Sequence, residues 1–98
     1  MLKGKERAYL RKLAHGIDPI FQIGKNGIEE NFLKQVSDAL EARELIKIKV
    51  LENSGLDTRE ASDLICREVR AEGIQAIGNK IVLYKKSHKK PKIEIPSK

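Results

Sequence analysis

The sequence predicts a single α/β domain, a two-layer sandwich in which helices pack on a four-stranded mixed sheet in the order αβαβαββ. The chain has 98 residues, which is the size of one domain. Segments with apolar residues at helical spacing alternate with segments of strand-forming residues. Strands joined through a helix favour parallel pairing, whereas the two residues Gly78-Asn79 suit an antiparallel hairpin between the last two strands.

The first half of the chain predicts two helices with a short strand between them. A helix is predicted over residues 3–15, because its leucines fall on one side at helical spacing. A proline at position 19 is tolerated at the start of a strand, so a short strand is predicted over 19–23. The segment Gly24-Lys25-Asn26-Gly27 breaks this strand before a second helix over 29–43.

The second half begins with a strand over 45–51, in which apolar and basic residues alternate. This period of two predicts a half-buried strand with Lys47 and Lys49 on its outer face. The remaining predicted elements are a helix from a cap at Asp57 or Thr58 to about Glu72, ended by Gly73, and strands at 74–77 and 80–85. Residues 1–86 are expected to form the domain, and residues 87–98 a basic flexible tail.

Positive charge is concentrated at the two ends of the chain. Residues 1–25 carry a net charge of +4, residues 26–79 carry −4 and residues 80–98 carry +6, which gives +6 in total. If the fold brings the first helix near the last strand, these ends form one positive face, as expected of a protein that binds a phosphate backbone. An anionic membrane surface, or a solvated surface with a lysine-rich tail, would give the same totals.

Several classes of protein are not expected. The longest uninterrupted apolar stretch is the four residues 81–84, far too short to span a bilayer. The chain begins with charged residues rather than a signal peptide, and its single cysteine, Cys66, forms no internal disulfide, so the reducing cytoplasm is the expected location. Neither a P-loop nor a GxGxxG motif occurs, and no zinc-ligand spacing is present, so no cofactor, metal or small-molecule substrate is expected.

The segment Gly24 to Gly27 is the most informative local feature. Two glycines allow a tight turn and the close approach of a ligand backbone, and the following helix offers unpaired N–H groups to a phosphate. Lys25 adds a positive charge at the tip. The alternative is a turn in which the glycines only supply positive φ angles, but the basic residues on the preceding helix favour phosphate binding.

The residue inventory favours binding over catalysis. His15 is expected at a helix end, His88 in the tail and Cys66 beside an apolar helix face, so no nucleophile has an evident base. A small hydrolase would require activity that depends on His15 or Cys66. With only two tyrosines and two phenylalanines, base stacking is not the main contact, which favours backbone and shape recognition of a structured RNA.

Four stretches occur in order over residues 3–86: Leu13-Ala14-His15 followed by Pro19, Ile23-Gly24-Lys25-Asn26-Gly27, the segment from Glu44 to Val50, and Ile77-Gly78 with Val82-Leu83-Tyr84. In this order they resemble the CRM domain family, named for chloroplast RNA splicing and ribosome maturation, in its single-domain bacterial form, the YhbY-type proteins. The family's GxxG motif falls on residues 24–27. Where the family often has Leu-Thr, this chain has Ile28-Glu29, which removes a hydroxyl that could cap the second helix.

This resemblance implies an α/β fold similar to the C-terminal domain of bacterial translation initiation factor three. It also implies RNA binding without catalysis, in an assembly factor that contacts ribosomal RNA in precursors of the large ribosomal subunit. The candidate RNA contacts are Gly24, Lys25, Asn26, Gly27, Lys3, Arg7, Arg11 and Lys12, with Lys47, Lys49, Lys85 and Lys86 depending on how the strands pack.

An alternative of a different class is a protein-interaction module. In that hypothesis, acidic helices dock onto a basic partner such as a ribosomal protein. The residues involved would be Glu41, Glu44, Asp63 and Glu72.

Overall fold

The structure is a computed structural model that describes residues 2–95. Its elements are α1 (Gly4–Ala14), β1 (Phe21–Ile23), α2 (Glu30–Arg43), β2 (Leu45–Val50), a short 3-10 turn (Glu52–Ser54), α3 (Thr58–Val69), β3 (Glu72–Ile77) and β4 (Lys80–Tyr84). The predicted α/β class and the order αβαβαββ are confirmed. Residues 96–98 of the predicted tail lie outside the described residues.

The four strands form one mixed sheet in the order β1-β2-β4-β3. Strand β1 runs parallel to β2, with Phe21 opposite Ile48. Strand β4 runs antiparallel to both of its neighbours, with Ile48 opposite Ile81 on one side and Ala76 opposite Ile81 on the other. The C-terminal ends of β1 and β2 therefore lie at the same end of the sheet as the turn between β3 and β4.

Both faces of the sheet are apolar at its centre, and both are covered. Ile46 and Ile48 of β2 pack with α2 and α3 in one core. Leu45 of the same strand packs with Leu10 and Ala14 of α1 in a second core on the opposite face. Helix α1 thus adds a third layer to the two that the sequence predicts, because apolar side chains alternate to both sides of β2 and β4 and each face must be buried.

The boundary between α3 and β3 differs from the prediction. Helix α3 ends at Val69, and Arg70 rather than Gly73 takes the left-handed conformation, with φ of 58°. Glu72 and Gly73 belong to β3, because they pair with the last residues of β4. A Cβ atom at Gly73 would lie 3.4 Å from the Sγ atom of Cys66, within van der Waals contact, so β3 packs directly against α3 here.

Two glutamates of the α2 end bind the chain that follows β4. Glu44 is fully buried, has a positive φ of 67° and accepts hydrogen bonds from the backbone N–H groups of Ser87, Lys92 and Ile93. Glu41 accepts hydrogen bonds from the Ser87 hydroxyl and from the backbone N–H groups at positions 88 and 89. The segment 87–95 contains no helix or strand. It is nevertheless bound to the domain through these two carboxylates.

Apolar contacts continue this attachment. Ile93 and Ile95 pack, partly buried, against the core beneath α1, beside Leu2. The sequence predicts a flexible tail from Ser87 onward, and that mobility stays a prediction. The segment 87–95 can move only if its hydrogen bonds to Glu41 and Glu44 and the apolar contacts of Ile93 and Ile95 are broken.

The hydrogen bonds lower the pKa of both carboxyl groups. The Ser87 hydroxyl and then the amides of His88 and Lys89 lower the pKa of Glu41 from 4.5 to about 2. Burial by itself would raise the pKa of Glu44, but three backbone N–H groups and the nearby Lys86 ammonium together bring it below its usual value. Both groups are thus held as carboxylates by the segment that they bind.

We expect acid to release the tail segment at a pH well below the ordinary glutamate range. Because the pKa of Glu41 is about 2 in the folded chain and 4.5 without these contacts, its stabilising contribution is complete above pH 4.5 and is lost as the pH falls toward 2. An NMR titration should show the amide signals of His88 and Lys89 shifting with a midpoint far below pH 4.5. A midpoint near 4.5 would contradict the contacts, and Glu41→Gln, which cannot titrate, is the control.

Candidate nucleic-acid interface

The glycine loop is a tight turn at one end of the sheet. The Gly27 N–H donates to the Gly24 carbonyl oxygen over 2.9 Å, and Gly27 has a positive φ of 69°. The side chains of Lys25 and Asn26 are exposed at its tip. The Leu51 N–H donates to the carbonyl oxygen of residue 23 over 2.9 Å, so the loop is fixed beside the end of β2.

The loop leads directly into α2. Glu29 occupies the N-cap position and makes no side-chain cap hydrogen bond, which agrees with the loss of the hydroxyl expected from the sequence. The first N–H groups of a helix have no partner within the helix and carry partial positive charge. The start of α2 is therefore able to receive an anion, although the exposed carboxylates of Glu29 and Glu30 share this end.

Strand β2 places its two lysines on the face that α1 covers. Leu45 contacts the core beneath α1, and alternation along the strand puts Lys47 and Lys49 on the same side. Lys49 lies between Gln22 of β1 and Lys80 of β4 in the strand register. We call Gln22, Lys49 and Lys80 the lysine row. Gln22 lies two residues before the glycine loop, so the row and the loop lie at the same end of the sheet.

Sequence reasoning missed Gln22 and Lys80 as members of this surface. The available signal was the alternation within β4, because Lys80 shares its face with Val82 and Tyr84, which pack beneath α1. What the sequence did not provide was the register that sets Lys80 opposite Lys49. Like charges directly opposite each other on neighbouring strands destabilise a sheet by roughly 0.2–1 kcal/mol, so this arrangement is unfavourable for folding alone.

The basic residues that the sequence predicts as RNA contacts on α1 fall into two groups, those at the surface and one that is bound within the fold. Lys3 and Lys12 are exposed and Arg11 is partly buried. Arg7 is engaged within the fold: its guanidinium donates to the Gly73 carbonyl oxygen and pairs with the Glu72 carboxylate at 3.0 Å. Arg7 therefore holds α1 against the edge of β3, whereas the other three leave their charge at the surface.

The two predicted lysines after β4 are separated from the loop. The Lys85 ammonium donates to the Val69 carbonyl oxygen over 2.9 Å, at the C-terminal end of α3. That bond places it in the layer of α2 and α3, away from the lysine row. Lys86 is exposed and lies at the end of the sheet opposite the glycine loop.

Charge is divided between the two helical layers. Helix α1 carries four basic residues and one acidic residue, whereas α2 and α3 together carry four basic and six acidic residues. With the lysine row on the same side as α1, this face of the sheet is positive. From the two basic ends of the chain, α1 and Lys80 therefore lie on this side of the sheet, whereas Lys85 and Lys86 do not join them.

The acidic surface of the alternative hypothesis is largely used inside the fold. Glu41 and Glu44 bind the segment after β4, and Glu72 binds Arg7. Only Asp63 of the four residues is exposed without one of these contacts in the described part of the chain. These positions do not form a free acidic docking face.

The structure offers no support for catalysis at the two candidate residues. His15 is exposed at the end of α1. Burial raises the pKa of the Cys66 thiol, and the nearby carboxylates of Asp63 and Glu72 raise it further, which keeps this thiol protonated and weakly nucleophilic. Within residues 2–95, no group of His, Cys, Asp or Glu side chains could hold a metal ion, and no helix could cross a membrane.

This arrangement defines a small α/β domain with a basic face and a glycine loop, and comparison with known proteins gives its family. Residues 2–85 match the CRS1 / YhbY (CRM) domain. The chain belongs to this family, as its resemblance in four ordered stretches predicts. No catalytic family is indicated.

Relatives and a solved structure agree with this assignment. The chain is 47% identical over 96 residues to the protein of Bacillus subtilis named "Probable RNA-binding protein YqeI", covering 98% of this chain and all of that one. It is 40% identical over 101 residues to a Haemophilus influenzae protein named "RNA-binding protein", covering 99% and 97% of the two chains. The solution structure of SAV1595 from Staphylococcus aureus, described as a candidate RNA-binding protein, superposes with a TM-score of 0.77 at 47% identity, covering 98% of this chain and all of that one.

The two glycines of the loop should respond differently to alanine. Gly27→Ala forces a side chain into a positive φ, so we expect a loss of about 1 kcal/mol in the free energy of unfolding. At Gly24 no positive φ occurs, and an added Cβ would meet its nearest neighbours at 3.8 and 3.9 Å, so Gly24→Ala should change stability by less than about 0.5 kcal/mol. Urea denaturation of the two variants tests this, and equal losses would contradict it.

Proposed function

We propose that this protein binds structured RNA without catalysing a reaction, through the positive face formed by the glycine loop, the lysine row and the exposed cations of α1. The observation that carries the proposal is that the glycine loop and the lysine row lie at the same end of the sheet, where Lys49 and Lys80 are opposite each other at a cost in stability. A phosphate backbone lying across the sheet would neutralise both lysines. The names of the relatives support RNA as the ligand.

The mode of binding follows from the positions of the aromatic rings. Phe21 and Phe32 pack edge to face with 5.7 Å between ring centroids, next to the core of α2 and α3, and Tyr84 is buried. The remaining ring, Tyr9 of α1, is partly buried, so little aromatic surface is left for stacking on unpaired bases, which is the usual way of binding single strands. Lysine and arginine contacts to the backbone of a folded RNA therefore account best for this surface.

The ligand that we propose is ribosomal RNA in precursors of the large ribosomal subunit, bound in the cytoplasm during assembly. The family resemblance supports this, because small bacterial CRM proteins look like factors that associate with such precursors. The exposed Lys25 and Lys80 at one end of the sheet suit such a ligand, since a folded ribosomal RNA presents closely spaced backbone phosphates rather than an extended single strand.

Removing one lysine from the loop or from the row should weaken RNA binding in a salt-dependent way. We expect Lys25→Gln and Lys80→Gln each to lower the slope of log K against log salt by about 0.7–0.9, the contribution of one phosphate contact. Filter binding to purified large-subunit ribosomal RNA at several salt concentrations measures this.

The two variants should differ in stability. Lys80→Gln removes the repulsion with Lys49, so its free energy of unfolding should rise by roughly 0.2–1 kcal/mol, while Lys25→Gln leaves it unchanged. The control is Lys34→Gln on α2, which is exposed in the other layer and should alter neither quantity. An unchanged salt slope for both Lys25→Gln and Lys80→Gln would remove the loop and the row from the interface.

The ribosomal ligand is tested by sedimentation of a cell lysate at low and moderate salt. We expect the protein to migrate with free or precursor large subunits, but not with translating ribosomes, and the variant carrying both Lys25→Gln and Lys80→Gln to leave these fractions at lower salt. Residence at the top of the gradient even at low salt would contradict a ribosomal role and leave RNA binding itself to be judged from the filter assay.

A further inference from the structure

We propose that the segment from Lys86 to Lys92 is a second phosphate-binding surface for the same RNA, held rigidly by Glu41 and Glu44 at the end of the sheet opposite the glycine loop. This inference rests on the proposed function, because it concerns further contacts to that RNA. The basic segment after β4 would thus contribute RNA contacts in addition to those of the glycine loop and the lysine row.

The anchoring contacts leave the lysine side chains outside. Glu41 and Glu44 bind backbone N–H groups and the Ser87 hydroxyl of this segment rather than its ammonium groups. The side chains of Lys86, Lys89, Lys90 and Lys92 are exposed. The segment is thus fixed by its backbone while its charges face solvent.

None of these lysines forms an ion pair within 4 Å among the described residues, although Lys86 lies near Glu44. Among the described residues, the one ion pair within 4 Å joins Arg7 to Glu72, at the edge of β3. Four lysines and the exposed Arg43 outweigh the two anchoring carboxylates and the exposed Glu94 at this end of the molecule. The local surplus of positive charge fits an anionic backbone.

The two basic surfaces are separated by the length of β2. The anchor Glu44 immediately precedes Leu45, and the glycine loop is bonded to the chain just after Val50. A strand of six residues spans about 17 Å, and phosphates follow one another about every 3.4 Å along the axis of a DNA duplex and more closely along the A-form duplex of RNA. A folded RNA of about six base pairs or more is therefore long enough to reach both surfaces.

If the segment is fixed, removing Glu41 should have the opposite effect on RNA binding from the one expected if the segment is a freely moving polycation. Glu41→Ala deletes a negative charge, which would strengthen or preserve RNA binding if the lysines acted only through their net charge. If the lysines bind as an ordered surface, the same substitution disorders them and adds an entropic penalty to binding. The sign of the change therefore separates the two descriptions.

The experiment uses the full chain and purified large-subunit ribosomal RNA in filter binding over a range of salt. The variant with Lys89, Lys90 and Lys92 all changed to Gln keeps the anchoring backbone and should lower the salt slope by about 2 to 3. The matched control changes Lys34, Arg59 and Arg67 to Gln, three exposed residues on α2 and α3, and should leave the slope unchanged. Glu41→Ala should weaken binding several-fold, whereas Glu68→Ala on α3 should not weaken it.

Folding and anchorage are read separately by NMR. Glu41→Ala should keep the amide spectrum of the sheet while the signals of His88 and Lys89, whose N–H groups Glu41 binds, move toward disordered positions. An unchanged slope in the triple-lysine variant, or tighter binding by Glu41→Ala with its segment released, overturns this inference. If Lys25→Gln still weakens binding in that case, the proposed function stands. If no variant on either surface changes binding, the proposed function fails as well.

Discussion

The rest of the structure depends on the apolar side chains that β2 and β4 present to both faces of the sheet. Ile46 and Leu45 are neighbours in sequence, yet each belongs to a different buried core. A sheet of this kind cannot leave either face in water, so one helical layer is required on each side. Because α1 is rich in cations and α2 and α3 are rich in carboxylates, the same requirement separates charge between the two faces.

Two features of the fold are unfavourable for its stability: the pairing of Lys49 with Lys80 and the backbone conformation of Glu44. Lys49 and Lys80 would be more stable with one of them neutral or acidic, and Glu44 adopts a backbone conformation that non-glycine residues rarely take. At Glu44 the three hydrogen bonds to its buried carboxylate offset the strain. At the lysine pair no ion pair within 4 Å among the described residues supplies compensation.

Local patterns predicted what depends on neighbours in sequence. The period of two in β2 placed Lys47 and Lys49 together on one face, but did not reveal that α1 covers this face. Of the two predicted caps of α3, Asp57 rather than Thr58 accepts from the amide of Glu60. Arg7 looked like one more surface cation, because its partners lie more than 60 residues away in β3. The end of α3 and the function of Glu41 and Glu44 were missed for the same reason: pairing with β4, and binding of the chain beyond it, cannot be deduced from local periodicity.

The contacts of α1 also determine when the positive face can exist. Its buried residues, Leu10 and Ala14, pack against Leu45 and against residues of β3 and β4, and Arg7 binds Glu72 and Gly73. Almost every surface that α1 requires is thus made from the later half of the chain. During synthesis the first helix leaves the ribosome long before its binding site on the sheet has been made. The complete basic face is therefore a property of the finished molecule, and a partly synthesised chain lacks it.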